Sequence, residues 1–341
     1  MILRNLCSLA ALFGTLLMLP GALIAATTLE AVQQNGFIKC GVNTGLSGFS
    51  NADKDGKWTG LDVDFCRGLA AAVLGDASKV RYIPLTAKER FTALQSAEVD
   101  VLSRNTTWTL TRDSSLGINF AGVIYYDGQG FMVSKKLGVK SALELDGAAV
   151  CILAGTTTEL NLADYFRTNK MQYQPVVFDT SDQTVKGFES GRCDVLTSDQ
   201  AQLYGQRIKL SKPEDAIVLP EIISKEPLGP VVRQGDDAWF NIVKWTLNAM
   251  LNAEELGINS VNIEKAGDTT NPAVKRLLGM EGIRGKGLGL ADSWAYNIIK
   301  QVGNYAEIFE RNVGDGSPLK IRRGLNALWK DGGLHYGPPI R

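Results

Sequence analysis

The sequence predicts an α/β protein built as two lobes of similar construction. Short apolar strands alternate with helices along both halves of the chain, a pattern typical of α/β layers with a mainly parallel sheet. One helix–strand segment of the first half matches a segment of the second half, and two other segments are typical of crossovers between lobes. Two domains also suit 341 residues, because one core rarely serves so long a chain.

The N-terminal residues 1–26 are typical of a cleaved secretory signal. Arg4 supplies an early positive charge, an apolar run covers 6–19, and small residues follow, among them Ala25 and Ala26. The apolar run is too short to span a membrane comfortably. We therefore expect export to the periplasm, with cleavage near these two alanines.

The first half of the chain holds the predicted units of lobe 1. The run after Gly60 has apolar residues at helical spacing and ends on Gly75, a residue type that often terminates helices. The predicted strands of this half cover 37–42, 80–84 and 99–103, and the predicted helices cover 60–75 and 87–96.

The second half repeats the pattern with strands at 147–153, 173–178 and 194–197 and helices at 158–168 and 182–190. Here LQSAEVDVLSRN, which ends at Asn105, aligns without gaps against FESGRCDVLTSD, which ends at Asp199. A helix–turn–strand unit could converge on so short a match. The alignment still predicts that Asn105 and Asp199 lie at equivalent strand exits.

The predicted crossovers between the lobes are 125–133 and 224–233. In the second, prolines and glycines favour extended backbone over helix. After it, a strong amphipathic helix at 237–256 packs on lobe 1, and the stretch 293–313 is predicted as a single helix. The resulting domain prediction gives 27–126 and 230–281 to lobe 1, 127–229 to lobe 2, and 282–341 to a C-terminal helical extension that packs on the lobes.

In open α/β sheets, ligands bind beyond the carboxyl ends of the strands, which predicts a site in the cleft between the lobes. Arg112 and Thr107 follow a lobe 1 strand there. A guanidinium grips a carboxylate with two parallel hydrogen bonds, and a neighbouring hydroxyl can add a third. The structural alternative for Arg112 is an ordinary exposed loop arginine.

Two lobe 2 segments face the same predicted cleft. Thr157 lies in the first turn of a helix, where free N–H groups attract anions, although Thr156 and Glu159 have capping-box spacing and could serve only the helix start. Asp199 could accept hydrogen bonds from a ligand ammonium group, or could simply cap a helix or turn. Together, Arg112 and Asp199 could read the two charged ends of a zwitterionic amino acid.

Six segments carry a resemblance to a known family. These are GLDVDFCRGLA (60–70), TTWTLTRD (106–113), YYDGQGFMV (125–133), AGTTTE (154–159), GRCDVLTSDQ (191–200) and SKEPLGPVVRQGDDAWF (224–240). The chain resembles the periplasmic solute-binding proteins of amino-acid ABC transporters, family 3 of the bacterial extracellular solute-binding proteins. Within that family it is similar to the general, broad-specificity L-amino-acid-binding branch. The resemblance implies a two-lobed Venus-flytrap fold (type II) with two hinge crossovers.

By position, the resemblance implies that Arg112 binds the ligand carboxylate with help from Thr107 and Thr157. It also implies that Asn105 and, foremost, Asp199 reach the ligand ammonium group.

The family commonly places an aromatic ring over the ligand where this sequence has Leu46, a departure that fits a looser side-chain preference. The implied partners are an L-amino acid and the permease subunits of an ABC transporter. We expect a monomer with no cofactor, no metal and no catalytic residues. Formal charge is balanced, at 36 basic and 36 acidic residues, so nothing indicates a nucleic-acid partner.

Four cysteines remain after signal removal, an even number that favours disulfides in an exported protein and allows three pairings. In the two-lobed architecture, the pairs Cys40–Cys66 and Cys151–Cys193 would each cross-link one lobe and leave the hinge free to move, whereas crossed pairs would link the lobes to each other. We therefore predict these two pairs. The alternative function is an exported enzyme on the same scaffold, such as a lyase or dehydratase acting on a small amino or carboxylic acid. The single histidine, His335, lies in a Gly- and Pro-rich tail and gives a catalytic triad little support.

Overall fold

The computed structural model describes residues 26–282 and 285–341. The predicted signal peptide lies outside the described residues except for Ala26. The strands of the described chain are β1 (Ile38–Asn43), β2 (Asn51–Ala52), β3 (Trp58–Thr59), β4 (Val80–Leu85), β5 (Val101–Leu102), β6 (Ile118–Phe120), β7 (Tyr125–Asp127), β8 (Gln129–Ser134), β9 (Ala149–Leu153), β10 (Gln174–Phe178), β11 (Val195–Asp199), β12 (Ala216–Val218), β13 (Glu226–Leu228) and β14 (Val231–Arg233). The helices are α1 (Thr28–Asn35), α2 (Leu61–Leu74), α3 (Arg90–Gln95), α4 (Leu110–Ser115), α5 (Thr157–Thr168), α6 (Ser181–Glu189), α7 (Gln200–Arg207), α8 (Asp237–Glu255), α9 (Pro272–Leu277), α10 (Trp294–Gln301) and α11 (Tyr305–Asn312).

Two five-stranded sheets form the centres of the two lobes. The lobe 1 sheet has the order β4-β1-β5-β14-β6, and the lobe 2 sheet has the order β10-β9-β11-β8-β12. The orders correspond strand for strand, so β5 and β11, the strands of the short sequence repeat, occupy equivalent positions. The predicted α/β class and the two similar lobes are confirmed.

The sheets are less parallel than predicted, because half of the pairings in each are antiparallel. In lobe 1, β1 pairs in parallel with β4 and β5, whereas β14 pairs antiparallel with β5 and β6. Lobe 2 repeats this arrangement around β8. Both antiparallel strands arrive from the hinge rather than from a helical crossover, and a helical crossover is what usually makes neighbouring strands parallel.

The hinge is a separate two-stranded ladder. β7 pairs antiparallel with β13, with Glu226 opposite Asp127 and Leu228 opposite Tyr125. These are the two crossovers predicted from sequence. Their exact domain boundaries, with lobe 1 at 27–126 and 230–281 and lobe 2 at 127–229, stay a prediction.

The C-terminal extension packs on lobe 1 and on the hinge. Helix α10 lies against α2 and α8, and its Ile298 and Ile299 are fully buried. The prediction of one helix over 293–313 is wrong. Gly303 adopts a φ of 104°, and Asn304 begins α11 with a capping box, so the chain bends between two short helices.

A later part of the extension holds a hinge strand directly. Asn326 accepts a hydrogen bond from the Tyr126 N–H (2.7 Å) and donates one to its carbonyl (3.0 Å), while the Tyr305 hydroxyl donates to the Ile124 carbonyl (2.8 Å). Within residues 26–282 and 285–341, none of the helices combines the length and the apolar character needed to cross a membrane.

Both predicted disulfides are present. Cys40 on β1 is joined to Cys66 on α2 with a Cα–Cα distance of 6.4 Å, and Cys151 on β9 is joined to Cys193 before β11 at 5.6 Å. Each bond connects elements of one lobe, so the covalent cross-links do not bridge the cleft.

Candidate functional site

A small cavity lies between the lobes, beyond the carboxyl ends of β5, β9 and β11. Its volume is about 20 Å³, which holds about one water molecule. The lobes are therefore closed on each other. The cavity is lined from lobe 1 by Arg90, Asn105 and Thr107, and from lobe 2 by Leu153, Thr156, Thr157, Thr158, Ser198, Asp199 and Gln202.

A larger cavity of 590 Å³ lies elsewhere, on the outer edge of lobe 2 between β8, α6 and β12. One lobe alone supplies its walls, and none of the predicted ligand-binding residues lines it. We assign the functional site to the smaller interlobe cavity because strand exits converge there and because its size reflects closure rather than absence of a site.

Four of the six predicted ligand-binding residues line the interlobe cavity. Asn105 and Thr107 come from lobe 1, and Thr157 and Asp199 come from lobe 2. The hydroxyl oxygens of Thr107 and Thr157 are 3.4 Å apart, so the two lobes meet at these side chains.

Arg112 lies beside the cavity on α4, half-buried, and its Nη1 donates to the Thr107 carbonyl at 2.9 Å. Burial lowers its pKa, and the charges of Glu226 and Asp199 oppose that effect. Arg112 is therefore partly buried and bonded to the backbone beside the cavity, unlike the exposed loop arginine of the structural alternative.

Leu46 is the predicted residue that the structure does not bring to the cavity. Its side chain is fully buried in the core around α2, and the described lining residues do not include it. The prediction placed Leu46 at the ligand, but the backbones of Leu46 and Ser50 bridge one another in a short turn, and this turn directs the Leu46 side chain into the core.

Asn105 is held in an unusual backbone conformation at its strand exit. Its φ is 36°, a left-handed value that favours Gly, Asn and Asp. Its N–H donates to the Asp62 carboxylate (3.0 Å), and its side-chain oxygen accepts from Asn43 (3.0 Å). Burial raises the pKa of Asp62 to about 7, so this support is itself sensitive to pH.

Asp199 is almost completely buried at the start of α7. Its carboxylate accepts from the Gln202 amide, and the helix N–H of Ala201 donates to Asp127 instead. Asp199 is therefore at a cap position without serving as the cap. Burial raises its pKa well above the ordinary value, and the charges of Glu226 and Asp127 raise it further. A cation placed beside it would relieve this unfavourable environment.

The predicted capping box at Thr156 and Glu159 is wrong, and Glu159 accepts from the Gly155 N–H (3.4 Å) rather than from the Thr156 N–H. The Thr156 hydroxyl contacts the Leu153 carbonyl and the Thr158 hydroxyl, each at 2.6 Å, instead of accepting from the helix start. Helix α5 therefore begins with N–H groups that Thr156 does not satisfy, which leaves the helix terminus suited to a carboxylate.

Sequence reasoning missed two buried arginines. Arg90 lines the cavity, and among the described residues its Nε has no hydrogen-bond partner. Its guanidinium and that of Arg112 lie 4.9 and 5.3 Å from the centre of the Phe91 ring. Arg104 is also buried and donates to the Leu85 carbonyl (3.0 Å). Burial lowers the pKa of Arg90 well below its ordinary value and that of Arg104 to about 10.

The rule that found Asn105 could also have found Arg90. Arg90 follows the exit of β4, the edge strand of the same sheet, by a short turn. Examining the exit of every predicted strand, including the one at 80–84, would have included it.

Sequence reasoning also missed Glu226, a fully buried carboxylate on hinge strand β13. It accepts hydrogen bonds from Thr107 (2.6 Å), Thr157 (2.8 Å), Asn161 (2.7 Å) and Ser224 (2.7 Å). Sequence alone gave no signal, because the contact between Glu226 and Thr107 joins residues 119 positions apart.

His335 lies away from the cavity. Its ring packs 4.4 Å from Tyr305 and 5.2 Å from Tyr126, centre to centre, under the C-terminal extension. Burial lowers its pKa to about 3, so it is neutral there. A catalytic base in the cleft would have to be another residue type.

Comparison with known families gives one match that covers most of the chain. Residues 38–258 match the model of the bacterial extracellular solute-binding proteins, family 3.

The similar proteins and structures agree with that match. The chain is 67% identical over 318 residues, 93% of each chain, to the putative amino-acid ABC transporter-binding protein YhdW of Escherichia coli strain K12. It is 59% identical over 341 residues, 99% of this chain and 100% of the other, to the general L-amino acid-binding periplasmic protein AapJ of Rhizobium johnstonii. A periplasmic binding protein from Brucella ovis with glutathione bound superposes with a TM-score of 0.91 at 59% identity, over 93% of this chain and 100% of that one.

Proposed function

Because the chain belongs to the bacterial extracellular solute-binding proteins of family 3, we propose that it binds free L-amino acids of several kinds and delivers them to the permease of an ABC transporter. It works in the periplasm, as the Rhizobium johnstonii relative does by its name. The same relative binds L-amino acids in general. The breadth of ligands proposed here follows that likeness.

One observation carries the proposal. Two groups from different lobes stand at one cavity lined by hydroxyl groups: Arg112 lies beside it on lobe 1, and the buried carboxylate of Asp199 lines it from lobe 2. The first suits the carboxylate of an amino acid and the second its ammonium group. Glutathione, bound by the Brucella ovis protein, also carries a free α-ammonium and a free α-carboxylate group.

Ligand exchange requires the lobes to move. A cavity of about 20 Å³ is far too small for an amino acid, so entry takes place through an open form, and the ligand then favours closure. We take 27–126 with 230–281 as one moving body and 127–229 as the other, with β7 and β13 as the hinge. Contacts from both lobes bind the ligand more tightly in the closed form, and that difference in affinity shifts the population.

The alternative of an exported enzyme has less support. The relatives are named as binding proteins, and the single histidine of the sequence lies under the C-terminal extension rather than in the cleft.

A thermal-shift screen of the twenty L-amino acids tests the proposal. Ligand at about a hundred times its Kd adds about 2.7 kcal/mol to the free energy of unfolding. Several amino acids should therefore raise the Tm by a few degrees. Truncation of one partner of a buried charge contact weakens binding by roughly a hundredfold, so Arg112→Ala should lose most of each shift.

Arg167→Ala is the matched control. Arg167 is an exposed arginine on α5 paired with Asp164 on the outer surface of lobe 2, and its replacement should leave the shifts unchanged. If wild type responds to no amino acid, the binding function is wrong. If Arg112→Ala keeps the wild-type shifts, the function stands but the role of Arg112 is wrong.

A further inference from the structure

The buried carboxylate of Glu226 joins the two lobes. Its donors include Thr107 from lobe 1 and both Thr157 and Asn161 from α5 of lobe 2. An ionised carboxylate offers about four lone-pair sites, and Ser224 supplies the fourth donor. The side chain is therefore saturated by donors from both sides of the cleft.

Backbone contacts connect the hinge strand of Glu226 to lobe 1. The Trp108 N–H donates to the Pro227 carbonyl (2.8 Å), and Thr107 bridges Leu228 as in an antiparallel ladder. The loop after β5 therefore runs along the hinge strand that carries Glu226. Thr107 lies on lobe 1, whereas the threonine and asparagine of α5 lie on lobe 2, so opening the cleft separates one of these two sets of donors from the hinge carboxylate.

Glu226 also fixes the direction of two hydroxyl groups in the cavity. A threonine hydroxyl has a single hydrogen, and both Thr107 and Thr157 direct theirs to the same oxygen of Glu226. Only the lone pairs of the two hydroxyl oxygens are then available to a ligand in the cavity. In this arrangement the two hydroxyls can accept a hydrogen bond from a ligand N–H but cannot donate one to a ligand carboxylate.

We propose that Glu226 is a positioning residue with two effects. It ties the lobes together in the closed form, and it turns the hydroxyls of Thr107 and Thr157 into acceptors for the ligand ammonium group. The ligand carboxylate is then left to Arg112 and to the N–H groups that begin α5. The second effect rests on the proposed function, whereas the tie between the lobes does not.

The ligand probes are L-glutamine and glutaramic acid, the same molecule without the α-amino group. Calorimetry on the full mature chain measures the preference factor, which is the Kd of glutaramic acid divided by the Kd of L-glutamine. In wild type this factor should be large. In Glu226→Ala the hydroxyls are free to rotate and donate to the carboxylate, so this factor should fall by roughly tenfold. Glu226→Gln keeps one acceptor oxygen and should restore the factor to within about threefold of wild type.

The tie between the lobes is measured without ligand. Small-angle X-ray scattering should give a larger radius of gyration for Glu226→Ala than for wild type. Thr157→Val, which removes one lobe 2 donor and keeps the carboxylate, should shift the radius in the same direction. Glu221→Ala is the control, because Glu221 accepts from Ser141 within lobe 2, and it should match wild type in both measurements.

Equal radii for wild type, Glu226→Ala and Thr157→Val would overturn the tie. An unchanged preference factor in Glu226→Ala, or a loss as large in Glu226→Gln as in Glu226→Ala, would overturn the acceptor role. If wild type binds no amino acid, the proposed function fails and the acceptor role fails with it, while the scattering comparison still decides the tie.

Discussion

Replacing Asp62 with asparagine should stabilise the protein near neutral pH. Asp62 is buried at the start of α2 and accepts hydrogen bonds from the Asn105 N–H (3.0 Å) and the Ser103 hydroxyl (3.1 Å). An asparagine of the same shape keeps the first bond and donates to Ser103 instead of accepting. The substitution therefore removes a buried charge while it preserves the support under Asn105.

The size of the effect follows from the pKa. Burial raises the pKa of Asp62 from 3.8 to about 7, which at roughly 1.4 kcal/mol per pH unit corresponds to about 4 kcal/mol. The folded state holds the proton more tightly than the unfolded state. Protonated Asp62 thus stabilises the folded state fully below about pH 4, and this contribution to the free energy of unfolding is lost as the pH rises through about 7. Between pH 5 and pH 8 the loss is about 2.5 kcal/mol.

Urea unfolding of wild type and Asp62→Asn across this pH range measures the effect. The difference between their free energies of unfolding should move in favour of the variant by about 2.5 kcal/mol between pH 5 and pH 8. Asp55→Asn, at an exposed loop aspartate, should give no comparable change. Parallel pH profiles for wild type and Asp62→Asn would refute the reasoning, because the carboxyl would then titrate alike in both states.

Two further predictions concern the interlobe cavity and the Cys40–Cys66 disulfide. Arg90 lines the cavity, and its Nε has no partner among the described residues. Arg90→Leu should therefore weaken L-glutamate binding by roughly tenfold and leave L-leucine binding unchanged. Calorimetry that shows equal losses of affinity for both amino acids would contradict this prediction. Replacing both Cys40 and Cys66 with alanine removes a disulfide with a sequence separation of 26. This should lower the free energy of unfolding by about 3.5 kcal/mol. Ligand affinity should not change, because the disulfide lies within lobe 1. An altered affinity would show that the bond reaches the cleft.

The lobes and their strand exits could be predicted because the signals are local. Alternating strands and helices are set by hydrophobic spacing within short windows, and the repeat that ends at Asn105 and Asp199 lies on two such units. Both residues line the cavity, since the carboxyl ends of corresponding strands face one another. The helix break at Gly303 was missed because buried apolar residues continue the helical spacing on both sides of it.

The rest of the site depends on contacts between distant parts of the chain. Glu226 meets Thr107 only after β13 has paired with β7 and lies beside the loop that follows β5. Nothing near Glu226 in the sequence marks it as buried. Leu46 was assigned by analogy with the family's aromatic position, but a tight local turn directs its side chain into the core.

The order of strands in lobe 1 has a consequence for how the chain matures. Lobe 2 builds its sheet from β8 to β12, one continuous stretch, whereas the lobe 1 sheet needs β14 between β5 and β6. As the polypeptide emerges from its N-terminus during export, lobe 2 has all its strands available first. Lobe 1 stays incomplete until residues 231–233 arrive, and the hinge gains its brace at Asn326 last of all. The hinge strand is thus braced only after both sheets have all their strands.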